Sequence, residues 1–327
     1  MKIFVTGGTG YIGEHFIPAL LKEGHYVRLL VRDINKARKK FGNKCEYFIG
    51  DITNKDSLKG CCENIDIVYH MVAKVGNQLP SEKNMKAFRE VNVEGTKNII
   101  AECRGIKKFI FVSSIAAMGI VKNLPINEES KCEPYLPYQI TKFEAEQIIL
   151  ENAKQGLPGI IIRPTKVYGV GEHEYSYLTL AKLCQLRIFP KIGKGYNYTS
   201  NIYISDFVCY LVKLINKGRI GEIYNLTSNE SIKFVDVGRL IAKVLNKNIL
   251  ILPIPSYLMI KVASIEEKIF NMLHKKPIAT KKNIEAIITD RIYDISKAKV
   301  ELDFTPLVSM EDGIVTTIKW YIETKKI

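Results

Sequence analysis

The first thirteen residues restrict the fold more than any other stretch. Lys2-Ile3-Phe4-Val5-Thr6 is a short apolar run. It gives way to Gly7-Gly8-Thr9-Gly10, and Tyr11-Ile12-Gly13 then opens a segment with apolar residues at helical spacing: Ile12, Phe16, Ala19 and Leu20. This order predicts a strand, a tight turn and a helix. Gly7 permits the sharp exit from the strand. Gly10 removes a side chain where the backbone must approach a pyrophosphate, and Gly13 lets the helix close on the sheet. Phosphates are expected at the helix N-terminus, against Tyr11 and Ile12, where unpaired N–H groups and the helix dipole favour negative charge. The spacing G-x-x-G-x-x-G is one residue longer at its start than the usual dinucleotide fingerprint. Its weight comes from the strand before it and the helix after it. Pro18 falls inside that helix and is expected to remove one backbone bond and bend it.

Five more apolar runs follow, alternating with helical patterns. Tyr26 to Asp33 reads as the second strand, with Val31 as its last position. Cys45 to Ile52 is the third strand with its exit loop, Ile65 to Ala73 the fourth, Phe109 to Ser114 the fifth and Gly159 to Pro164 the sixth. Continuous apolar strands separated by helices are what a parallel sheet covered on both faces requires. The expected fold is therefore α/β, a doubly wound parallel sheet of the Rossmann type, with a smaller C-terminal α/β region for substrate. Residues 1–164 would form the nucleotide-binding domain, to which 199–227 returns, and 165–327 would mostly build the substrate side.

Composition excludes several classes of function. Hydrophobic residues make up 46% of 327, enough for a full core, and no apolar run reaches the roughly 18–20 residues that span a bilayer. The N-terminus enters a strand directly, so no signal peptide is expected and the protein reads as cytoplasmic. Its seven cysteines are scattered without C-x-x-C spacing, and its five histidines do not cluster. No metal site is expected, and the thiols read as reduced. Cys61-Cys62 reads as the end of a helix. The net charge of +14 lacks a basic run with interleaved aromatics, so nucleic acid is not an expected partner.

Candidate ligands lie at the strand ends. An acidic residue after the second strand would hold both ribose hydroxyls and select NAD; here Arg32 stands there, with Lys36 and Lys39 on the next helix. A guanidinium suits a 2′-phosphate, so NADP is the expected cofactor. The alternative is that Arg32 pairs with Asp33 or Asp56 and NAD is used. Asp51 is placed to accept from an adenine amino group with Ile52 against the ring, and the small Ala73 leaves room for cofactor. His70, within an apolar run, reads as a satisfied core histidine.

Ser114 closes the fifth strand on the edge where such sheets bind ligands. Downstream, Tyr138 and Lys142 are four apart and share one face of a helix. A phenol near pKa 10 is a poor acid–base group at neutral pH, and a neighbouring ammonium lowers it. Ser114 can donate to a substrate oxygen while Tyr138 passes a proton to or from it. That is equipment for hydride exchange between a carbonyl and a nicotinamide.

Together these motifs resemble the extended branch of the short-chain dehydrogenase/reductases, the NAD-dependent epimerase/dehydratase family. The likeness covers nearly the whole chain. It takes in Thr6 to Gly13, Asp51, Asn92, Ser114, Tyr138 and Lys142. It also includes Arg163-Pro164-Thr165-Lys166-Val167-Tyr168-Gly169, similar to R-P-x-x-x-Y-G, and Asp294-Ile295-Ser296-Lys297-Ala298. The resemblance implies that Asn92 contacts cofactor, that the Pro164 to Val167 backbone lines the nicotinamide, and that Asn201 to Asp206 is the strand returning to the sheet. It also implies a homodimer, paired through the helices carrying Asn92 and Tyr138.

Dehydratases of this kind carry an acidic pair after the serine; Ile115 and Ala116 stand there. Nucleotide-sugar epimerases usually place an arginine where Thr199 stands, although Lys191 and Lys194 are near. The second strand, and the segment from Pro253 to Ala263, resemble dihydroflavonol-reductase-like and 3β-hydroxysteroid-dehydrogenase-like members. The expected activity is hydride transfer between NADP(H) and a carbonyl or secondary alcohol on a small, rather apolar substrate. The alternative is a nucleotide-sugar 4-epimerase with tightly bound NAD. The helical stripe Leu258, Val262, Ile265 and Ile269 reads as cover for a small core or as a pocket lid; contact with a membrane surface is a third reading.

Overall fold

The computed structural model describes residues 1–173, 177–272 and 280–327. Seven strands form one parallel sheet: β1 (Lys2–Thr6), β2 (Tyr26–Val31), β3 (Glu46–Ile49), β4 (Ile67–His70), β5 (Lys108–Val112), β6 (Gly159–Pro164) and β7 (Ile223–Leu226). Their order is β7-β6-β5-β4-β1-β2-β3. The chain winds outward one way from β1 to β3 and the other way from β4 to β7. The reversal between β1 and β4 opens a crevice at the C-terminal strand ends, where open α/β sheets take ligands.

Strand alternation divides the core between the two faces of the sheet. Val5, Tyr69, Ile110 and Ile162 pack on the side of helices α1 (Tyr11–Lys22) and α7 (Ile204–Lys213). Phe4, Val68, Phe109 and Ile161 pack on the other side, with Ala145 and Ile149 of α5 (Pro137–Lys154). Because both faces are covered, these strands read as unbroken apolar runs. The remaining N-terminal helices are α2 (Ile34–Phe41), α3 (Glu82–Arg89) and α4 (Gly95–Glu102), the last two joined by a π-helical turn, Glu90–Glu94. Pro18 does sit inside α1.

Several boundaries differ from the sequence reading. The third, fourth and fifth strands are shorter than read, so that Ser114 lies two residues beyond β5, whereas the second ends at Val31 and the sixth spans Gly159–Pro164 as expected. Asn201 to Asp206 is not the strand that returns to the sheet. Ile202–Tyr203 pairs with Val167–Tyr168 in a separate two-stranded piece, and the return is made by Ile223–Leu226 beside β6. From Ile204 the apolar spacing turns helical, with Ile204, Phe207, Val208 and Leu211 buried. Cys61 and Cys62 lie in turns after a 3₁₀ segment, Lys55–Leu58, rather than at a helix end; the bend from Gly60 to Asn64 uses two positive-φ residues.

The C-terminal part is built from α6 (Leu178–Gln185), α8 (Phe234–Val244), α9 (Ser256–Met272), α10 (Lys281–Ile288), α11 (Ser296–Leu302) and α12 (Met310–Glu323), with short strand pairs. Ile188–Ile192 runs parallel to Leu250–Ile254. Tyr168, Phe189, Ile241 and Ile318 centre its own apolar core. On α9 the stripe does not cover a core. Leu258, Val262, Ile265 and Ile269 are each 45–50% exposed, and Ala263 is the α9 residue buried against Ile192 and Ile284. Hydrophobic periodicity shows which side chains share a face; here the opposite face makes the contact.

Candidate active site

The glycine turn has the geometry its spacing predicts. Gly7 has φ +76°, and a Cβ there would stand 2.8 Å from the Val72 nitrogen. A Cβ on Gly13 would stand 2.2 Å from the Gly8 carbonyl oxygen, so α1 lies directly on the turn. Gly10 is the N-cap of α1 and supplies no capping side chain. The first N–H groups of α1, from Tyr11 and Ile12 onward, therefore keep the unsatisfied character that an anion complements.

At the end of β2, Arg32 has a side chain 82% exposed, with Nη1 3.9 Å from Asp51 Oδ2. The partner is thus Asp51, reached across β2 and β3, and not Asp33 or Asp56. Asp33 is engaged elsewhere, since its Oδ1 accepts from the Asn35 and Lys36 nitrogens at 2.9 and 3.1 Å and caps α2. Lys36 and Lys39 are exposed on that helix. Asp51 Oδ1 accepts from the Thr53 nitrogen and hydroxyl, and these bonds, with Arg32, hold its carboxyl below the usual range. Ile52 is buried against Gly95 at the start of α4.

Beyond β4, Ala73 is half-buried and the next residue is gripped from outside the strand. Asn92, in the π-helical turn, is 3% exposed. Its Oδ1 accepts from the Lys74 nitrogen at 2.7 Å, and its Nδ2 donates to the Lys74 carbonyl and to Thr141 Oγ1, both at 3.0 Å. Asn92 therefore pins the exit of β4 to α5. His70 is a satisfied core residue: Nδ1 lies 2.8 Å from Thr6 Oγ1 and Nε2 lies 3.0 Å from Thr96 Oγ1. Burial, with a smaller effect of Lys142, pushes its pKa down to about 3.

Ser114 is the N-cap of a 3₁₀ segment, Ile115–Met118, and its Oγ accepts from the Ala116 nitrogen at 3.2 Å. A hydroxyl that accepts can still donate, so Ser114 can serve a substrate oxygen. On α5, Pro137 opens the helix and the Gln139 side chain accepts from the Tyr135 and Leu136 nitrogens, fixing where Tyr138 falls. Tyr138 is half-buried. One turn on, Lys142 is 2% exposed, donates to the Val112 carbonyl at 2.7 Å and lies 4.0 Å above the Phe111 ring. Burial pushes its pKa down to about 7.

A buried ionic pair backs this helix. Arg163 reaches Glu146 at 2.7 Å, with the two side chains 2% and 0% exposed. Ser113 Oγ donates to the same carboxylate. The end of β5, α5 and β6 are thus tied behind Ser114 and Tyr138. After β6, the Thr165 nitrogen donates to the Leu226 carbonyl and its hydroxyl to Thr227 Oγ1. This fixes the buried Pro164 and half-buried Val167 segment.

One polar cluster does not follow from the sequence reading. Glu172 is 2% exposed; Oε1 accepts from the Tyr321 hydroxyl, while Oε2 and the buried Tyr11 hydroxyl have no hydrogen-bond partner among the described residues. His15 Nε2 lies 3.1 Å from the Val170 carbonyl beside them. Burial and Glu172 raise the Tyr11 pKa. The only sequence hint is an acid directly after Tyr168-Gly169-Val170-Gly171. The Tyr11 hydroxyl, a donor beside the uncapped N-terminus of α1, suits a phosphate-bearing ligand, whereas the Glu172 carboxylate, an acceptor, does not. The glycine turn, Arg32 and Asp51 together suit a dinucleotide. No group of three or more metal-ligating side chains occurs among the described residues.

Comparison with known proteins gives a family and a fold. The model of the NAD dependent epimerase/dehydratase family matches residues 3–227. A 3beta-hydroxysteroid-dehydrogenase/decarboxylase of Arabidopsis thaliana is 28% identical over 98% of this chain and 80% of that protein. A UDP-N-acetyl-alpha-D-glucosaminuronate decarboxylase of Bacillus cytotoxicus is 27% identical over 98% of both. Among solved structures, a UDP-glucuronic acid 4-epimerase from Bacillus cereus in complex with NAD superposes with TM-score 0.76, at 24% identity over 99% of each chain. A UDP-glucose 4-epimerase from Thermotoga maritima reaches 0.79 at 21% identity, over 99% of this chain and 100% of that one.

Proposed function

The chain belongs to the NAD-dependent epimerase/dehydratase family, and on that footing we propose that it transfers hydride between NADP(H) and a carbonyl or secondary alcohol of a rather apolar small molecule. The observation that carries this reading is Ser114 just beyond β5 and Tyr138 in the first turn of α5, the helix that packs on the 3₁₀ segment Ser114 caps, with Lys142 buried one turn on. The nicotinamide supplies or accepts the hydride. Ser114 donates a hydrogen bond to the reacting oxygen and orients it. Tyr138 exchanges the proton with that oxygen. Lys142, held by the Val112 carbonyl, contributes positive charge that favours the phenolate, and its ammonium suits the nicotinamide ribose. Asn92 holds the exit of β4, and the Pro164 to Val167 backbone walls the nicotinamide side.

NADP is preferred because Arg32 stands where an acid would select NAD, and because capping α2 occupies Asp33. Reduction is favoured over dehydration because Ile115 and Ala116 offer no acid–base pair beside Ser114. The segments 165–198 and 228–327 build the substrate side, and the protein works as a homodimer through the helices carrying Asn92 and Tyr138.

A nucleotide-sugar 4-epimerase is the second reading. It is favoured by Lys191 and Lys233, whose ammonium groups lie 4.9 and 5.8 Å from the Tyr196 ring centre, a cationic and aromatic cluster suited to a nucleoside diphosphate. The two readings separate on net redox change. NADPH should be consumed with an apolar ketone, and Tyr138→Phe should lower that rate by roughly 10²–10⁴-fold while cofactor still binds. A Tyr138→Phe enzyme with full activity contradicts the assignment. Interconversion of a UDP- or dTDP-sugar without net cofactor change establishes the second reading.

A further inference from the structure

Helix α9 departs from the rule that a long helix buries its apolar side. Leu258, Val262, Ile265, Ile269 and Met272 follow one another at steps of four, three, four and three, so they line one face. All five are exposed, Met272 by 77%, and Tyr257 beside them by 73%. At 1.5 Å per residue the stripe is about 20 Å long. The remaining exposed side chains described on α9 are Lys261 and Lys268. At 100° per residue, both border the stripe on the same side as Tyr257. Neither forms an ion pair among the described residues. The acids of the helix, Glu266 and Glu267, are half-buried, and Glu267 accepts from the Lys281 nitrogen on α10. The face thus offers an apolar strip, a cationic border and no exposed carboxylate.

This decides between occupants. A second copy packed antiparallel on the same face would set Lys261 of one copy against Lys268 of the other. An anionic lipid surface matches both properties: the strip enters the acyl boundary while the lysines reach phosphate and carboxylate headgroups. The chain's charge of +14 acts in the same direction. The described helices include none long and apolar enough to cross a membrane, so attachment would lie in the interface plane.

We propose that α9 is an interfacial membrane-binding helix that docks the protein on anionic lipid through the Leu258–Met272 strip and Lys261 and Lys268. The test is co-sedimentation of the full chain with phosphatidylcholine vesicles, with and without phosphatidylglycerol. Binding should require the anionic lipid and weaken with salt. Lys261→Glu with Lys268→Glu should weaken it at least thirtyfold, since each lysine near such a surface is worth about 1 kcal/mol. Val262→Glu with Ile265→Glu should abolish it, while melting temperature and cofactor binding stay as in the parent. Failure of the parent to bind anionic vesicles overturns the proposal, as does undiminished binding by both variants. So does a parent dimer that Val262→Glu with Ile265→Glu dissociates in the absence of lipid, because a second copy would then cover the strip.

Discussion

Helices α5 and α9 are nearly equal in length, 18 and 17 residues, and each inverts the usual division between inside and outside. α5 buries Thr141, Lys142 and Glu146; α9 leaves five aliphatic or thioether side chains in solvent. A buried charge survives only when paired and hydrogen-bonded. On α5 Glu146 is paired with Arg163 and bonded by Ser113, while Lys142 has no ion pair among the described residues: it donates to the Val112 carbonyl, and burial pushes its pKa down to about 7. The cost is met inside the molecule, and the proposed function gives it a use, an ammonium beside a phenol. On α9 nothing among the described residues covers the strip, and the membrane-docking proposal rests on that. In the two proposals above, buried polarity serves the chemistry and exposed apolarity serves a partner.

The contrast can be broken most forcefully at Glu146. Glu146→Gln leaves Arg163 charged and 2% exposed without a full partner, and should destabilise the fold by about 3–5 kcal/mol. Urea denaturation measures it; a loss below about 1 kcal/mol would mean water reaches the pair, and α5 would not be a buried-polar helix.

His70 gives a pH-dependent test of the same interior. Its ring stacks on Phe111, the ring beneath Lys142, at 5.6 Å between centres. Its folded pKa, about 3, lies below the ordinary histidine value of 6.5. Below 6.5 the unfolded chain binds the extra proton first, so the stability contribution is complete above that pH and is lost as pH falls toward 3. Each unit is worth about 1.4 kcal/mol, so several kcal/mol are at stake. His70→Gln should flatten this part of the stability–pH curve; an unchanged slope would assign the acid loss to carboxylates such as Asp51.

The smallest effect belongs to α9. Ile265→Ser should change stability by no more than about 0.5 kcal/mol, as an exposed substitution does, whereas Ile161→Ala in β6 should cost about 2–5 kcal/mol. A large loss at Ile265 would show that the strip is covered within the molecule.

The same division explains what is legible in the sequence. The glycine turn, the buried strands and the Tyr138–Lys142 pair are local patterns whose spacing fixes their geometry. The pairing of Arg32 with Asp51 depends on strand register, and Glu172 meets Tyr321 across 149 positions. Neither follows from neighbours in the chain. Asn201 to Asp206 reads as one strand because two extended residues pass directly into a helix, with no turn residue between them. On α9 the stripe itself is legible, but periodicity alone does not say which side meets protein.

The central claim, a cofactor exchanged at each turnover for net hydride transfer, is tested most directly by denaturing freshly purified protein and quantifying the nucleotide it releases. An empty protein, or partial occupancy by NADP(H), is the expected result. Near-stoichiometric NAD would contradict it, making the cofactor a resident catalyst and moving the epimerase reading to the front.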